Sequence, residues 1–395
     1  MLTANYPDPP IGGDRMISYN LIQELGCRHE IHLFSLTNSD QKINYNSKFY
    51  RQLASLTTMT ISRRRLWLRY LFSLTSKYPY TLIHGARQGI GERIASLVDK
   101  LQPEIIQANA FGFAMYAHYM NHFPKILVTA DVFSVLQRHL ALNESNFLLK
   151  LYYILNSKKG TLFEKDFFPL FDKCIVVSDL QAKMLSQIIP ASRICVITNG
   201  VNVTKFQPIG LPKQPFSIIF TGVMNYAPTY DAARYLYYEV LPLVRQQFPD
   251  ACLYLVGANP TKELLKFGRD NANVIVTGYV DNIKSYLDKA WVYAAPIRFG
   301  TGIKNKVLEA MAMGLPIVGS TVALEGIKAK HGDQVFVAHS SKQFAQYIIQ
   351  LFKDNELRIE MGRKAREFIK LHHTWSEKAK EYERIWSLVM DRYKY

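Results

Sequence analysis

The stretch that decides the fold is APIRFGTGIKNKVLEAMAMGLPIVGST, residues 295–321. An apolar strand ends at its start, a loop with Gly300 and Gly302 follows, and an amphipathic helix begins near Ile303. A second apolar run, LPIVGS, follows the helix at residues 315–320. Strand, helix and strand in this order predict a βαβ unit with parallel strands.

The same alternation fills the rest of the chain. Helical patterns such as Ile17–Leu25 and Glu92–Leu101 separate short, apolar, β-branched runs that are typical of buried strands. The runs lie at residues 30–36, 104–109, 125–131, 173–179 and 193–199, and then at 216–222, 251–257, 273–278, 290–296 and 315–320. Two blocks of such runs predict an α/β protein with two Rossmann-like domains.

A segment rich in glycine and proline separates the two blocks. It lies near Thr198–Pro215 and contains TNGVN followed by KFQPIGLPKQP, which is typical of a linker. We therefore expect domains at 1–205 and 206–374. The remaining residues, 375–395, are amphipathic and predict a final helix. Its expected buried residues are Trp375, Tyr382, Ile385, Trp386 and Met390.

Composition narrows the class of protein. Of 395 residues 48% are hydrophobic, enough for two cores, and no apolar run is long enough for a membrane-spanning helix. The N-terminal sequence has no basic region before an apolar run, so no signal peptide is expected.

Four scattered cysteines predict buried thiols in a reducing compartment, which favours the cytoplasm. The net charge of +16 suits nucleoside diphosphates, nucleic acid or an anionic membrane.

The decisive stretch also has the chemistry of a nucleotide site. Ligands of open α/β sheets bind beyond the carboxyl ends of the strands, and the free N–H groups of a helix N-terminus attract a diphosphate. Arg298 and Lys304 can add charge-assisted hydrogen bonds. The carboxylate of Glu309 suits a ribose diol. The alternative is an ordinary strand–turn–helix whose glycines serve the turn.

Five motifs together resemble the family 4 glycosyltransferases. The string GIKNKVLEAMAMGLPIV is similar to the donor-site motif of that family. The other motifs follow the family's order along the whole chain: GGDRMISYNLIQEL (12–25), ITNGVNVTKFQP (197–208), FTGVMNYAPTYDA (220–232) and VTGYVDNI (276–283), with a closing Thr-Trp near Trp375.

This resemblance implies the GT-B fold, in which two Rossmann-like domains face each other across a cleft and the C-terminal helix packs back on the N-terminal domain. It implies retaining transfer of a hexosyl group from a UDP- or GDP-sugar to a hydroxyl acceptor, lipid-linked or glycan, without a cofactor. The implied donor contacts are Gly12, Gly13, Gly222, Asn225, Tyr279, Val280, Thr301, Gly302, Ile303, Lys304, Lys306 and Glu309. The catalytic candidates are Asp131 and Arg298.

Three departures from the family pattern bear on these roles. Thr301 stands where the family usually has a second glutamate, eight positions before Glu309. The Arg and Lys that often follow the first strand of the second domain are absent, so Arg298, Lys304 or Lys306 would supply that charge. Asp131 replaces the common histidine, and the pattern Asp131-x-x-Ser134-x-x-x-Arg138 resembles a subgroup motif for binding sugar hydroxyls. The alternative for Asp131 is a strand-end cap.

Two other functions share this pattern. A nucleotide-sugar epimerase would convert the donor without an acceptor, and a non-catalytic nucleotide-sugar-binding protein would bind it without turnover. No HExxH motif or DxD pair appears in the sequence, so we expect no metal requirement.

One segment is basic and aromatic. Between Gln41 and Gly91 there are nine basic residues and no carboxylate, and Arg63–Tyr78 interleaves arginines with aromatic side chains. This mixture suits peripheral contact with an anionic membrane at the inner face. A helix with an apolar buried face and solvated arginines is equally compatible. Nucleic-acid binding is not expected, because no motif for it accompanies the charge.

Overall fold

The computed structural model describes residues 1–10, 12–38, 41, 43–61, 76–79, 88–142, 144 and 146–393. The chain forms two compact units. The first comprises Met1–Thr198 and Lys378–Tyr395, and the second comprises Asn199–Glu377.

The described part of the first unit is built on a seven-stranded sheet. Its order is β3-β2-β1-β4-β5-β6-β7, and each neighbouring pair is parallel. The strands are β1 Leu2–Thr3, β2 His32–Asn38, β3 Ser55–Ile61, β4 Ile106–Asn109, β5 Lys125–Val128, β6 Lys173–Val176 and β7 Ile194–Val196. The four residues of each of the central strands β4, β5 and β6 are all buried, as expected of a parallel sheet covered on both faces.

Helices connect these strands and begin where strands end. Those of the first unit are α1 Gly13–Leu25, α2 Gln88–Leu101, α3 Phe133–Leu142, α4 Phe147–Phe167 and α5 Asp179–Leu185, with a 3₁₀ segment at Phe111–Met120. The N-termini of α1, α3 and α5 follow β1, β5 and β6 respectively, so they lie at the carboxyl edge of the sheet.

The second unit repeats this architecture. In its described residues six parallel strands have the order β10-β9-β8-β11-β12-β13. The strands are β8 Ser217–Thr221, β9 Cys252–Val256, β10 Val274–Val276, β11 Val292–Ala295, β12 Ile317–Gly319 and β13 Val335–Val337. Both sheets are therefore of the doubly wound type, as the alternating sequence pattern predicted.

The helices of the second unit begin after β8. They are α6 Ala227–Tyr235, α7 Leu241–Arg245, α8 Lys262–Asp270, α9 Ile283–Lys289, α10 Asn305–Ala312, α11 Ser341–Lys353 and α12 Asn355–His372, with a π-helical turn at Leu236–Val240. The sequence predicted the helix after β11 to begin near Ile303. It begins at Asn305, because Lys304 has an extended backbone (φ −92°, ψ 93°).

The last helix, α13 Trp375–Met390, returns to the first unit. The indole Nε1 of Trp386 donates a hydrogen bond to the side-chain oxygen of Gln107 on β4, at 2.9 Å in the interior. Trp375, Tyr382 and Trp386 are buried, as predicted. Ile385 and Met390 are only half-buried, and Val389 takes the place that we expected for Met390.

Candidate functional site

The loop between β11 and α10 is the candidate phosphate-binding element. Gly300 (φ 111°) and Gly302 (φ 75°) both have left-handed backbone, which glycine adopts without the steric cost of a Cβ. These two residues allow the chain to leave the end of β11 and turn sharply into α10. The loop thus lies at the carboxyl edge of the sheet, directly before a helix N-terminus, where backbone N–H groups are free to bind an anion.

Lys304 folds back onto this loop. Its Nζ donates hydrogen bonds to the carbonyl oxygens of Thr301 (3.1 Å) and Gly302 (2.5 Å), and lies 3.9 Å from the carboxylate of Glu325. The Lys304 side chain is only 15% exposed. Its ammonium group therefore stabilises the carbonyl side of the loop from within the protein.

Glu309 lies one turn into α10 and is nearly buried. Both of its oxygens accept hydrogen bonds from Lys306 Nζ, at 3.0 and 2.8 Å. Burial, together with the negative charge of Glu309, raises the pKa of Tyr293, whose hydroxyl hydrogen-bonds to Thr221 at 3.0 Å. The Glu309 carboxylate is thus held by one lysine and lies close to the ends of β8 and β11.

Arg298 lies at the start of the same loop and has a carboxylate partner. Its guanidinium makes a bidentate ion pair with Asp231 of α6, with Nε 2.8 Å from Oδ2, and lies 5.1 Å from the ring centroid of Tyr235. Pairing with Asp231 raises the pKa of Arg298. The side chain is still 53% exposed, so part of the guanidinium faces solvent beside the glycine loop.

The neighbouring strand ends contribute the other donor-side candidates. A Cβ on Gly222, after β8, would lie 2.7 Å from Cγ2 of Thr229. Asn225 and Tyr279 are exposed, and Val280 is half-exposed after β10. Because β10, β9, β8 and β11 are consecutive in the sheet, these residues share one edge with the loop. The structure therefore brings the second-unit candidates to a common edge.

In the first unit the glycine loop and Asp131 come together. Gly12 (φ 97°) precedes α1, and an added Cβ on Gly13 would lie 3.7 Å from the Cβ of Ala130, in ordinary contact. Asp131 follows β5, and its Oδ1 lies 3.4 Å from Nε2 of Gln181, which also donates to the Ala130 carbonyl at 3.0 Å. Asp131 is therefore oriented by a neutral side chain at the edge of the sheet.

The sequence did not predict Glu164, which fixes the helix after Asp131. This carboxylate of α4 is fully buried and accepts hydrogen bonds from the backbone N–H of Ser134 (3.0 Å) and from its hydroxyl (2.5 Å). Burial raises the pKa of Glu164 to about 7, although these hydrogen bonds and one from the Phe133 N–H oppose the rise. Ser134 thus contacts Glu164, and Arg138 is exposed further along α3.

The described residues form neither a metal-binding cluster nor a membrane-spanning helix. In these parts of the chain no group of three or more histidine, cysteine or acidic side chains is arranged to hold a metal ion. Among the helices formed by these residues, none has the length and apolar character to cross a bilayer. The basic stretch Arg63–Tyr70 lies outside the described residues, as does most of the 63–78 segment predicted to contact a membrane.

The two doubly wound units define a chain of the GT-B class. Sucrose-phosphate synthase from Thermosynechococcus elongatus is similar over 99% of both chains, with a TM-score of 0.72 and 16% identity. The HepE protein of Anabaena, solved in complex with UDP-glucose, has a TM-score of 0.64 and 14% identity over 98% of this chain and 99% of that one. These similarities confirm the predicted fold class.

Residues 215–354, which include the loop and α10, match the family model of glycosyl transferases group 1. This match confirms the resemblance seen in the motifs. Phosphatidyl-myo-inositol mannosyltransferase of Mycobacterium tuberculosis is 31% identical over 173 residues, 40% of this chain and 44% of that protein. The chain spans about half the length of the curated relatives that it matches.

Proposed function

We propose that this chain is a retaining glycosyltransferase that moves a hexosyl group from a nucleoside-diphosphate sugar to a hydroxyl acceptor. The observation that carries the proposal is the Gly300–Gly302 loop, which leads directly into α10 with Glu309 on its second turn. A glycosyltransferase family domain covers these residues. Of the proteins named above, one is named a synthase and one a mannosyltransferase, which favours transfer over epimerisation or binding without turnover.

The donor half of the proposal follows from the chemistry of the second unit. The N–H groups at the start of α10 would bind the diphosphate, and Glu309 would accept hydrogen bonds from the ribose hydroxyls, displacing Lys306 in part. Gly222, Asn225, Tyr279 and Val280 would border the nucleotide, and Gly302, Ile303 and the Thr301 hydroxyl would lie near the sugar. UDP-glucose in the HepE complex supports a uridine donor over a guanosine one.

Catalysis in this proposal consists of leaving-group stabilisation and positioning. The bond between the anomeric carbon and the diphosphate oxygen breaks, and negative charge grows on the phosphate. Arg298, Lys306 and the helix dipole offset that charge without a metal ion. The acceptor hydroxyl forms the new glycosidic bond on the same face and gives its proton to the departing phosphate. We assign Asp131, with Gly12 and Gly13, to binding of sugar hydroxyls.

The acceptor is proposed to be presented at an anionic membrane, with the protein attached peripherally. The net charge of +16 and the basic segment 63–78 support this. The mannosyltransferase relative is named for a phosphatidylinositol substrate, which supports a lipid-linked acceptor here.

A thermal-shift screen tests the donor, because a ligand that binds the native state raises its melting temperature. We expect UDP and UDP-hexoses to raise it more than GDP or ADP and their sugars do. Release of the nucleoside diphosphate that depends on an added acceptor then establishes transfer. If no nucleotide raises the melting temperature, the proposed donor site is wrong; if the donor is converted without an acceptor, the activity is epimerisation.

A further inference from the structure

Helix α4 exposes large apolar side chains to solvent at its N-terminal end. The exposed fraction is 75% for Phe147, 73% for Leu148, 54% for Leu151 and 40% for Ile154. Leu142, the last residue of α3, is 69% exposed. Single exposed apolar residues are common, but a group of four on adjacent turns of one helix indicates an interaction surface.

These residues form one face of the helix. Phe147, Leu151 and Ile154 have the spacing that places side chains along one side, and Leu148 lies next to them. The opposite side is packed tightly, since a Cβ on Gly160 would come within 2.7 Å of the Phe133 ring, and Phe163 is fully buried. The helix is thus firmly seated on the first unit, while its apolar outer face is exposed.

The same face becomes basic toward its C-terminal end. Lys158, Leu162 and Lys165 continue the stripe, and Lys150 lies beside its first turns; all four are exposed. Helix α4 has two carboxylates: Glu164 is buried, and Asp166, in the last turn, pairs with Lys77 Nζ at 2.6 Å. The outer face of α4 therefore combines apolar side chains with lysines, and residues 147–163 contain no carboxylate.

We infer that this outer face of α4, defined by Phe147, Leu148, Leu151, Ile154 and Lys158, docks on an anionic lipid membrane. Apolar side chains of such a helix enter the acyl boundary while lysine stems lie along it and their charged ends reach the headgroups. Lysine is depleted at protein–protein interfaces, so the mixture favours a lipid surface over a second copy of the chain. This inference rests on the membrane attachment included in the proposed function, and it names the surface of the protein that makes the contact.

The test is co-sedimentation with vesicles of phosphatidylcholine alone, or of phosphatidylcholine and phosphatidylglycerol in equal amounts. The wild type is compared with a variant carrying Phe147→Ser, Leu151→Ser and Ile154→Ser. A matched control carries Leu265→Ser, Ile359→Ser and Leu371→Ser, which also remove exposed apolar side chains from helices, of the second unit. We expect the wild type and the control to pellet with anionic vesicles. The α4 variant should bind them roughly tenfold or more weakly, since three apolar contacts are lost.

A second variant, Lys150→Glu with Lys158→Glu, keeps the apolar side chains and reverses the charge. It should lose binding to anionic vesicles at low salt. If the serine variant fails to fold, this charge-reversal variant still tests whether α4 contacts the membrane. Equal pelleting of the wild type and both variants would overturn the assignment of membrane contact to α4. In that case a further variant changes Arg63, Arg64, Arg65 and Arg69 to serine. Loss of pelleting in this variant would assign the membrane contact to segment 63–78. Wild type left in the supernatant with both vesicles would overturn membrane contact altogether. Nucleotide-induced thermal shifts remain a separate measure of the transferase proposal.

A second copy of the chain is the alternative partner for the outer face of α4, and light scattering detects it. Light scattering across a range of concentrations should give the same mass for the wild type and the α4 serine variant. A mass of the wild type that rises with concentration, when that of the variant does not, would show self-association through this face. Such an increase would overturn the lipid inference in favour of a dimer.

Discussion

The carboxylate of Glu164 accepts hydrogen bonds from both the backbone N–H and the hydroxyl of Ser134, thirty residues earlier in the chain. Through these bonds α4 holds the first turn of α3, which begins two residues after Asp131. The acidic residue that we assign to sugar binding is therefore positioned by a second, buried acidic residue.

The buried position of Glu164 makes stability depend on pH. Its pKa is raised from an ordinary 4.5 to about 7, so the folded state binds the proton more tightly than the unfolded state. The stabilisation from the protonated form is complete below about pH 4.5 and is lost as pH rises through about 7. Relative to Glu164→Gln, which keeps the shape without charge, the wild type should lose about 2–3 kcal/mol between pH 5 and pH 8. Urea unfolding at both pH values measures this difference, and a constant difference would contradict the prediction.

Glu309→Ala should weaken nucleotide binding by about 1.5–3 kcal/mol, because a charged hydrogen bond to the ribose is lost. Calorimetric titration measures the affinity. The ribose assignment has its own control: 2′-deoxy-UDP lacks one hydroxyl, so the substitution should affect its binding less than that of UDP. Unchanged affinity for UDP would show that Glu309 does not contact the nucleotide.

Arg298→Ala should lower kcat roughly tenfold or more while changing KM little, since the guanidinium would interact with charge that grows in the transition state. Asp231→Asn is the matched control, because it removes the ion-pair partner and leaves the arginine in place. Steady-state kinetics of both variants decide the role. If Arg298→Ala raises KM at full turnover, the arginine serves ground-state binding instead.

Transfer should proceed at full rate in EDTA, because the loop, Lys306, Arg298 and the α10 N-terminus supply positive charge for the diphosphate. The rate is measured as acceptor-dependent UDP release before and after dialysis against the chelator. Activity that disappears and returns with magnesium or manganese would require a metal-assisted mechanism.

Gly257→Ala should destabilise the second unit by roughly 3 kcal/mol or more, since the new Cβ would lie 1.7 Å from the carbonyl oxygen of Gly222. Gly332→Ala is a suitable control, because its φ is also positive (78°) but no atom lies within 4 Å of the added Cβ. It should cost about 1–2 kcal/mol, the penalty of left-handed backbone alone. Thermal unfolding that ranks the two variants in the opposite order would refute the steric argument.

The sequence predicted the central strands, because strands buried on both faces consist of continuous apolar runs. It did not predict β3, Ser55–Ile61, an edge strand whose serine and threonines include exposed positions, or β13, which has only three residues. Edge strands have one neighbour and one partly solvated side, so their apolar signal is weaker.

The candidate site shows a similar division. The loop and Glu309 lie close together in sequence, so their arrangement on one strand–loop–helix unit could be predicted. The pairing of Arg298 with Asp231 and that of Glu164 with Ser134 join residues 67 and 30 positions apart. Such contacts depend on how helices pack against one another, which periodicity within each helix does not specify.

The contacts of Lys304 stabilise the loop that we propose to bind the diphosphate. Because this side chain holds the carbonyls of Thr301 and Gly302 from within the protein, contacts inside the protein fix the backbone there. The loop is preorganised, so an anion that binds to it finds the N–H groups already oriented. Little conformational entropy is then lost on association, and the interaction energy appears more fully as affinity.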